Sequence, residues 1–180
     1  PSTVGGYYQP LNMISLMGDV ALGAGPANLR PLHQTSLILH VVNTILVLVL
    51  LHDLFGSLLA ATIAALLFGV HPMTVEAIPW VGERKTLLAS FFALGSLICY
   101  VRYARRMGSS KGRGWYTLCL VAFLLALLSK PTTTMLPLAM MLLDVWPLGR
   151  FSRRTLIEKV PFLALVAVSS VITFVSQAAS

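Results

Sequence analysis

The stretch HPMTVEAIPWVGERK, residues 71–85, sets His71, Glu76, Glu83, Arg84 and Lys85 between two strongly apolar segments. These are residue types that move protons or hold anions. Pro72 should end the preceding helix and Pro79 break the next turn, which places the five on a re-entrant or interfacial loop. A plainer reading has Arg84 and Lys85 capping a membrane boundary and pairing with Glu83. Glu76 is harder to explain that way. It lies within TVEAIPWV and needs a partner such as His71 or Arg84.

Two further groups of polar residues interrupt apolar sequence. His33, Ser36, His40 and Asn43 fall at i, i+3, i+7 and i+10, on one helical stripe. Such a stripe should face other helices or a wet cavity rather than lipid. In SKPTTT, Lys130 ends one apolar run and Pro131 opens the next element. It can snorkel at a helix C-terminus or serve as a point charge for a phosphate. The chain has no phosphate-binding Gly-rich loop, no nucleophile elbow and no HExxH. His33 and His40 are too far apart for the usual one-turn metal pair. A metal held by His71 and Glu76 is conceivable on residue type alone, so a divalent metal stays open and no metal ligand is assigned.

The elements that carry these residues belong to a membrane protein. The chain of 180 residues is 57% hydrophobic and 11% charged, with a mean hydropathy of +0.83. That leaves too little polar surface for a soluble domain. The net charge of +7 does not point to nucleic acid, because the basic residues cluster between apolar segments rather than along one stripe. The two cysteines, Cys99 and Cys119, lie inside apolar segments and read as buried hydrophobes.

A spanning helix needs about 20 apolar residues. Six segments qualify more or less well: 33–51, 54–70, 86–103, 115–129, 131–146 with Pro137 inside it, and 160 onward. Pro137 should kink its helix unless neighbours satisfy the freed carbonyl. Residues 10–24 are too short and polar to span and suit a helix lying at the interface. Tyr7, Tyr8 and Trp80 suit that level, and Trp115, Tyr116 and Trp146 the opposite one. The fold expected is therefore all-α, a polytopic bundle of about six spanning helices with an interfacial helix near the N-terminus. Residues 1–32 would form an outer loop and 33–180 the spanning part. The segments 102–113 and 150–159 are rich in Arg and Lys and should both face the cytoplasm. Residues 1–32, the 71–85 loop and the Lys130 turn then share the other side.

Four blocks, in order, bear a family resemblance. YYQPLNMISLMGD resembles YYRPLxxLSFxLD. LHQTSLILHVVNT resembles YHxxNxxLHxxNT. The 71–103 segment resembles HPxxxExxxWxxERKDxLxxFFxxLxxxxYxxY. LLSKPTTTMLPLAMMLLDVWPLGR resembles LLSKPxxxTLPxxLLLLDxWPLGR. The blocks cover most of residues 7–150 and are similar to membrane proteins that join a glycosyltransferase C-type module to tetratricopeptide repeats, the O-mannosyltransferase-like family and its bacterial counterparts. Gln9 stands where that pattern has Arg, Ser36 where it has Asn, and Thr86 where it has Asp.

The resemblance implies transfer of a sugar, with inversion, from a polyprenyl-phosphate carrier to an acceptor hydroxyl, usually on a protein or peptide. The reaction would take place at the non-cytoplasmic face of a bacterial inner membrane, or of the endoplasmic reticulum in a eukaryote. A carboxylate must take the hydroxyl proton and cations must hold the departing lipid phosphate. The family's main catalytic acid sits in the first outer loop after a first spanning helix, and both are expected upstream of Pro1. Repeats are expected beyond residue 180. Glu83 and Glu76 would then support catalysis, while Arg84, Lys85, Lys130, His71, His33, His40 and Asn43 would line the substrate site. Two other classes compete. A transporter or flippase for a lipid-linked substrate would run its polar stripe across the membrane, whereas here the polar groups gather toward one face. A non-catalytic membrane anchor for a repeat domain would need none of them.

Overall fold

The computed structural model describes residues 9–178, and every regular element among them is helical. Tyr7 and Tyr8 lie outside the described residues. In chain order the helices are α1 (Pro10–Ala21), α2 (Arg30–Phe55), α3 (Leu58–Val70), α4 (Pro72–Val75), α5 (Arg84–Arg105), α6 (Ser110–Ser129), α7 (Leu136–Val145), α8 (Arg153–Ile157) and α9 (Val160–Ala178). Short 3-10 turns over Val81–Glu83 and Pro131–Met135 lead into α5 and α7.

Local chemistry sets the boundaries. Gly56 closes α2 with φ +72°, a left-handed value that favours glycine. Ser57 then caps α3, its Oγ accepting from the Ala60 amide. Ser109 caps α6 in the same way through Gly112. Pro137 falls in the first turn of α7 and is buried. It therefore starts that helix instead of kinking its middle, because a first-turn amide has no intrahelical acceptor to lose.

Four segments are long and apolar enough to cross a membrane: Arg30–Phe55, Val81–Arg105, Lys111–Ser129 and Arg153–Ser176. The second and fifth expected spans are shorter. Leu58–Val70 has 13 residues, about 20 Å of helix against a hydrocarbon core of about 30 Å. Pro131–Val145 is split by the 3-10 turn. The expected six spans thus become four helices of crossing length and two short ones. Helix α1 matches the expected interfacial helix in length and position.

The bundle is apolar outside, and its interior combines an apolar core with buried polar groups. Ile38, Val41 and Ile45 on α2 are at least half exposed, as are Leu59, Ile63 and Leu66 on α3, which gives the surface the character of a lipid-facing perimeter. Inside, Cys99, Tyr100, Cys119, Phe123, Leu127, Met140 and Phe162 join α5, α6, α7 and α9. Leu50, Ile98 and Val101 join α2 to α5. Both cysteines are free and buried. Helices α2 and α3 approach closely at Gly69, where an added Cβ would lie 3.1 Å from the Thr44 side chain.

Contacts sort the connections into two ends. At one end Arg102 meets Asp53 at 2.8 Å, Phe55 packs on Trp146, and the Tyr116 hydroxyl donates to the Glu158 carbonyl. At the other, Asp19 and Ser36 meet Arg84, and Lys130 meets Thr86. The two basic segments share the first end, and the 71–85 loop and the Lys130 turn share the second, as the charge pattern predicts. Single cysteines at His52, Gly82 and Lys111 test the consequence, since all three positions are exposed. In membrane vesicles, an impermeant maleimide should label 52 and 111 from one side and 82 from the other. Labelling of all three from one side would refute the arrangement.

Candidate functional site

The second end is built on the loop between α3 and α5. Pro72 stops α3, and His71 caps the short α4, its Nδ1 accepting from the Met73 amide at 3.3 Å. The Thr74 hydroxyl donates to the carbonyls of Phe68 and His71, folding α4 back on the end of α3. The chain then turns through Pro79 and exposes Trp80 before the 3-10 turn delivers Glu83, Arg84 and Lys85 into α5.

Glu83 and Lys130 are brought together from loops more than forty residues apart. The Thr86 hydroxyl joins them: it donates to the Glu83 carboxylate and accepts from Lys130 Nζ at 2.8 Å. Lys130 Nζ lies 3.8 Å from Glu83 Oε2, and the side chains are 26% and 39% exposed. Lys130 is held there because Pro131 cannot continue α6, and its carbonyl caps the turn by accepting from Thr133. A carboxylate, a hydroxyl and an ammonium group therefore sit side by side at the rim of the bundle, within reach of solvent.

Arg84 points the other way. It is fully buried. Its Nη1 bonds Asp19 Oδ2 at 2.5 Å and Ser15 Oγ at 3.2 Å, its Nε donates to Ser36 Oγ at 3.2 Å, and its Nη2 donates to the Leu32 carbonyl. Asp19 accepts a second bond from Thr35 at 2.7 Å. A buried guanidinium needs a carboxylate and satisfied donors, and here the set clamps α1 onto α2 and α5.

The stripe on α2 turns inward. Ser36, His40 and Asn43 are buried and His33 is half-buried. His40 donates to the Gly69 carbonyl at 2.9 Å and stacks on Phe68, and Asn43 donates to the Leu87 carbonyl at 3.0 Å. These are interhelical bonds tying α2 to α3 and α5, the plainer of the two expectations for them. Asn43 Oδ1 is buried without a partner. Glu76 is exposed and, among the described residues, makes no ion pair. Its expected pairing with His71 or Arg84 is not formed, because the α4 turn aims it at solvent and Asp19 holds Arg84. Lys85 is half-buried beside Thr86. Among the described residues, no three His, Cys, Asp or Glu side chains group to hold a metal.

Comparison with known proteins places the chain. A family model described as dolichyl-phosphate-mannose-protein mannosyltransferase matches residues 24–176. The chain belongs to that family. It is 31% identical over 121 residues to human Protein O-mannosyl-transferase TMTC3, which covers 66% of this chain and 12% of that protein. It is 32% identical over 142 residues to Drosophila melanogaster Protein O-mannosyl-transferase Tmtc2, covering 78% and 15%. Human Protein O-mannosyl-transferase TMTC4 is 26% identical over 171 residues, covering 85% and 23%. The chain thus spans from about an eighth to under a quarter of these relatives. No solved structure matches it. The resemblance read from the four blocks holds, and this mannosyltransferase-family chain is a membrane protein.

Two acids that sequence reading did not single out, Asp19 and Asp144, prove to organise the two ends. Asp19 anchors Arg84. Asp144, 1% exposed, lies under Tyr100, Arg150 and Lys159 at the basic end. The available signal was a lone acid inside an apolar helix, which is rare unless it is paired.

Proposed function

We propose that this chain is part of a membrane glycosyltransferase that moves a sugar from a polyprenyl-phosphate carrier to a hydroxyl on a protein or peptide, at the non-cytoplasmic face. The observation that carries this reading is the Glu83–Thr86–Lys130 cluster: an acid and a cation, part-exposed, at the end away from the basic segments. Family membership supports the reaction class, and mannose is the first sugar to test.

In the reaction the acceptor oxygen bonds to the anomeric carbon. The bond from that carbon to the carrier phosphate breaks, the hydroxyl proton goes to a carboxylate, and the phosphate leaves with the carrier. Lys130, with Lys85 from the first turn of α5 as a second cation, meets the growing charge on the phosphate. Glu83 orients Lys130 and borders the sugar. Arg84 acts from behind as a positioning residue, fixing the turn that presents Glu83 and Lys85 and holding α1 in place. His71 and Glu76, exposed on the same loop, face the approaching acceptor. His40 and Asn43 support the site from within the bundle by tying α2 to α3 and α5, and His33, half-buried on the same stripe, lies toward the site end of α2.

The test is an in vitro transfer assay with the full-length protein and a set of polyprenyl-phosphate sugars. Transfer to a peptide hydroxyl from at least one of them is the expected result, and absence of transfer from any would favour the anchor reading. Thr86→Val should lower the rate about 10- to 100-fold, the worth of roughly one hydrogen bond to a charged group. Thr86→Ser should stay near wild type. Equal rates for the Val and Ser variants would remove the hydroxyl from the site.

A further inference from the structure

The basic end carries a charge excess that the protein does not neutralise. Nine of the thirteen Lys and Arg residues and three of the six acids lie there, so this end holds +6 of the net +7. The three acids are all engaged. Asp144 holds Lys159 and Arg150, Glu158 meets Arg150 and Arg154, and Asp53 pairs with Arg102. Arg105, Arg106, Lys111, Arg113 and Arg153 are exposed, and among the described residues none has a carboxylate within ion-pair distance.

Apolar groups share this end with the five cations. The Trp115 indole lies 5.2 Å from the Arg102 guanidinium and 5.7 Å from that of Arg106. Trp146 is 70% exposed, Phe151 56% and Ile157 69%. A row of unpaired cations beside exposed aromatic and aliphatic side chains matches a layer with anionic groups above hydrocarbon.

We propose that this end is a binding surface for anionic phospholipid headgroups, which the five cations select over zwitterionic ones. A soluble polyanion such as RNA would match the charge but leave Trp146, Phe151 and Ile157 uncovered. An anionic lipid matches both. Cations near an anionic leaflet are attracted within about a Debye length, about 8 Å at physiological salt, so the selection should weaken as salt rises.

The full-length protein would be reconstituted in bilayers containing equal small fractions of photoactivatable phosphatidylglycerol and photoactivatable phosphatidylcholine. Crosslinks would be mapped by mass spectrometry to peptides spanning 102–116 and 146–159. The expected result is a phosphatidylglycerol excess of about three- to tenfold in those peptides. It should fall toward parity at 0.5 M salt, on the order of a 4 Å Debye length. Replacing all five cations by Gln should abolish the excess. Replacing the four arginines by Lys should keep it, since charge and not guanidinium geometry carries the selection. Equal crosslinking of the two lipids by the wild-type protein at low salt would overturn the proposal, whether or not the Gln variant folds. So would an excess that short RNA competes away.

Discussion

In full-length protein that expresses and folds normally, Lys130→Ala lowers the rate of sugar transfer by about 30- to 1,000-fold, the rate equivalent of roughly 2–4 kcal/mol of barrier. The size of the effect follows from where Lys130 sits. Its ammonium group is already aligned by Thr86 at 2.8 Å and by Glu83 at 3.8 Å, yet the side chain remains 26% exposed. It can therefore meet a phosphate without first leaving a buried partner. Negative charge on the carrier phosphate grows as the bond to the sugar breaks, so a cation there stabilises the transition state more than the bound donor. The loss should appear mainly in kcat, with a smaller change in KM. Removing Lys130 should barely affect stability, since the pair it forms with Glu83 is part-exposed and such pairs contribute about 0–1 kcal/mol. Wild-type turnover in Lys130→Ala would reduce the residue to a boundary cation snorkelling from the end of α6.

That outcome would separate two roles the sequence places next to each other. Glu83, Arg84 and Lys85 are consecutive, and as letters any of them could reach a phosphate. In the fold the 3-10 turn over Val81–Glu83 passes directly into α5, where successive residues point about 100° apart. Glu83 faces Lys130, while Arg84 turns into the bundle toward Asp19. Helix positions, the short helix over Pro10–Ala21 and the inward stripe of Ser36, His40 and Asn43 were legible because periodicity and apolar length report them directly. The joining of Glu83 to Lys130 through Thr86 was partly legible, since both polar residues close apolar runs on the same side. The partner of Arg84 was not. Asp19 lies 65 residues away, and no local pattern says which carboxylate a buried cation will find. Glu76 failed for the opposite reason. Its apolar neighbours suggested burial, but Pro72 and Pro79 confine it to a turn too short to carry it inside.

At the basic end, Asp144→Ala should destabilise the protein by about 3–5 kcal/mol, because it leaves the buried Lys159 without its carboxylate. Asp144 Oδ2 accepts from Lys159 at 2.6 Å and from the Tyr100 hydroxyl at 2.5 Å, while Oδ1 accepts from Arg150 at 2.7 Å. Lys159 and Asp144 are each 1% exposed, so water cannot replace the lost partner. Arg150 keeps Glu158 at 3.2 Å and the faces of Tyr100 and Tyr103. Burial pulls its pKa down, but the neighbouring Tyr100 and Asp144 outweigh that and raise it above the ordinary arginine value. A guanidinium stays charged at any working pH even without Asp144, so Arg150 cannot escape the loss by releasing a proton. For a chain of this size the midpoint of thermal unfolding in detergent should fall by roughly 6–20 °C. A paired variant, Asp144→Leu with Lys159→Met, removes the buried cation together with its acid. It should recover much of the fall, since an apolar pair of similar volume does without the desolvation that the ions require. A midpoint within about 2 °C of wild type for Asp144→Ala, a shift of under 1 kcal/mol, would show that the network does not hold the 146–159 segment to α5. The paired variant separates the remaining causes. If it falls as far as the single one, packing around residue 144 is responsible. If it recovers, the stability came from matching a carboxylate to the buried Lys159, which the chain delivers from the turn between α8 and α9.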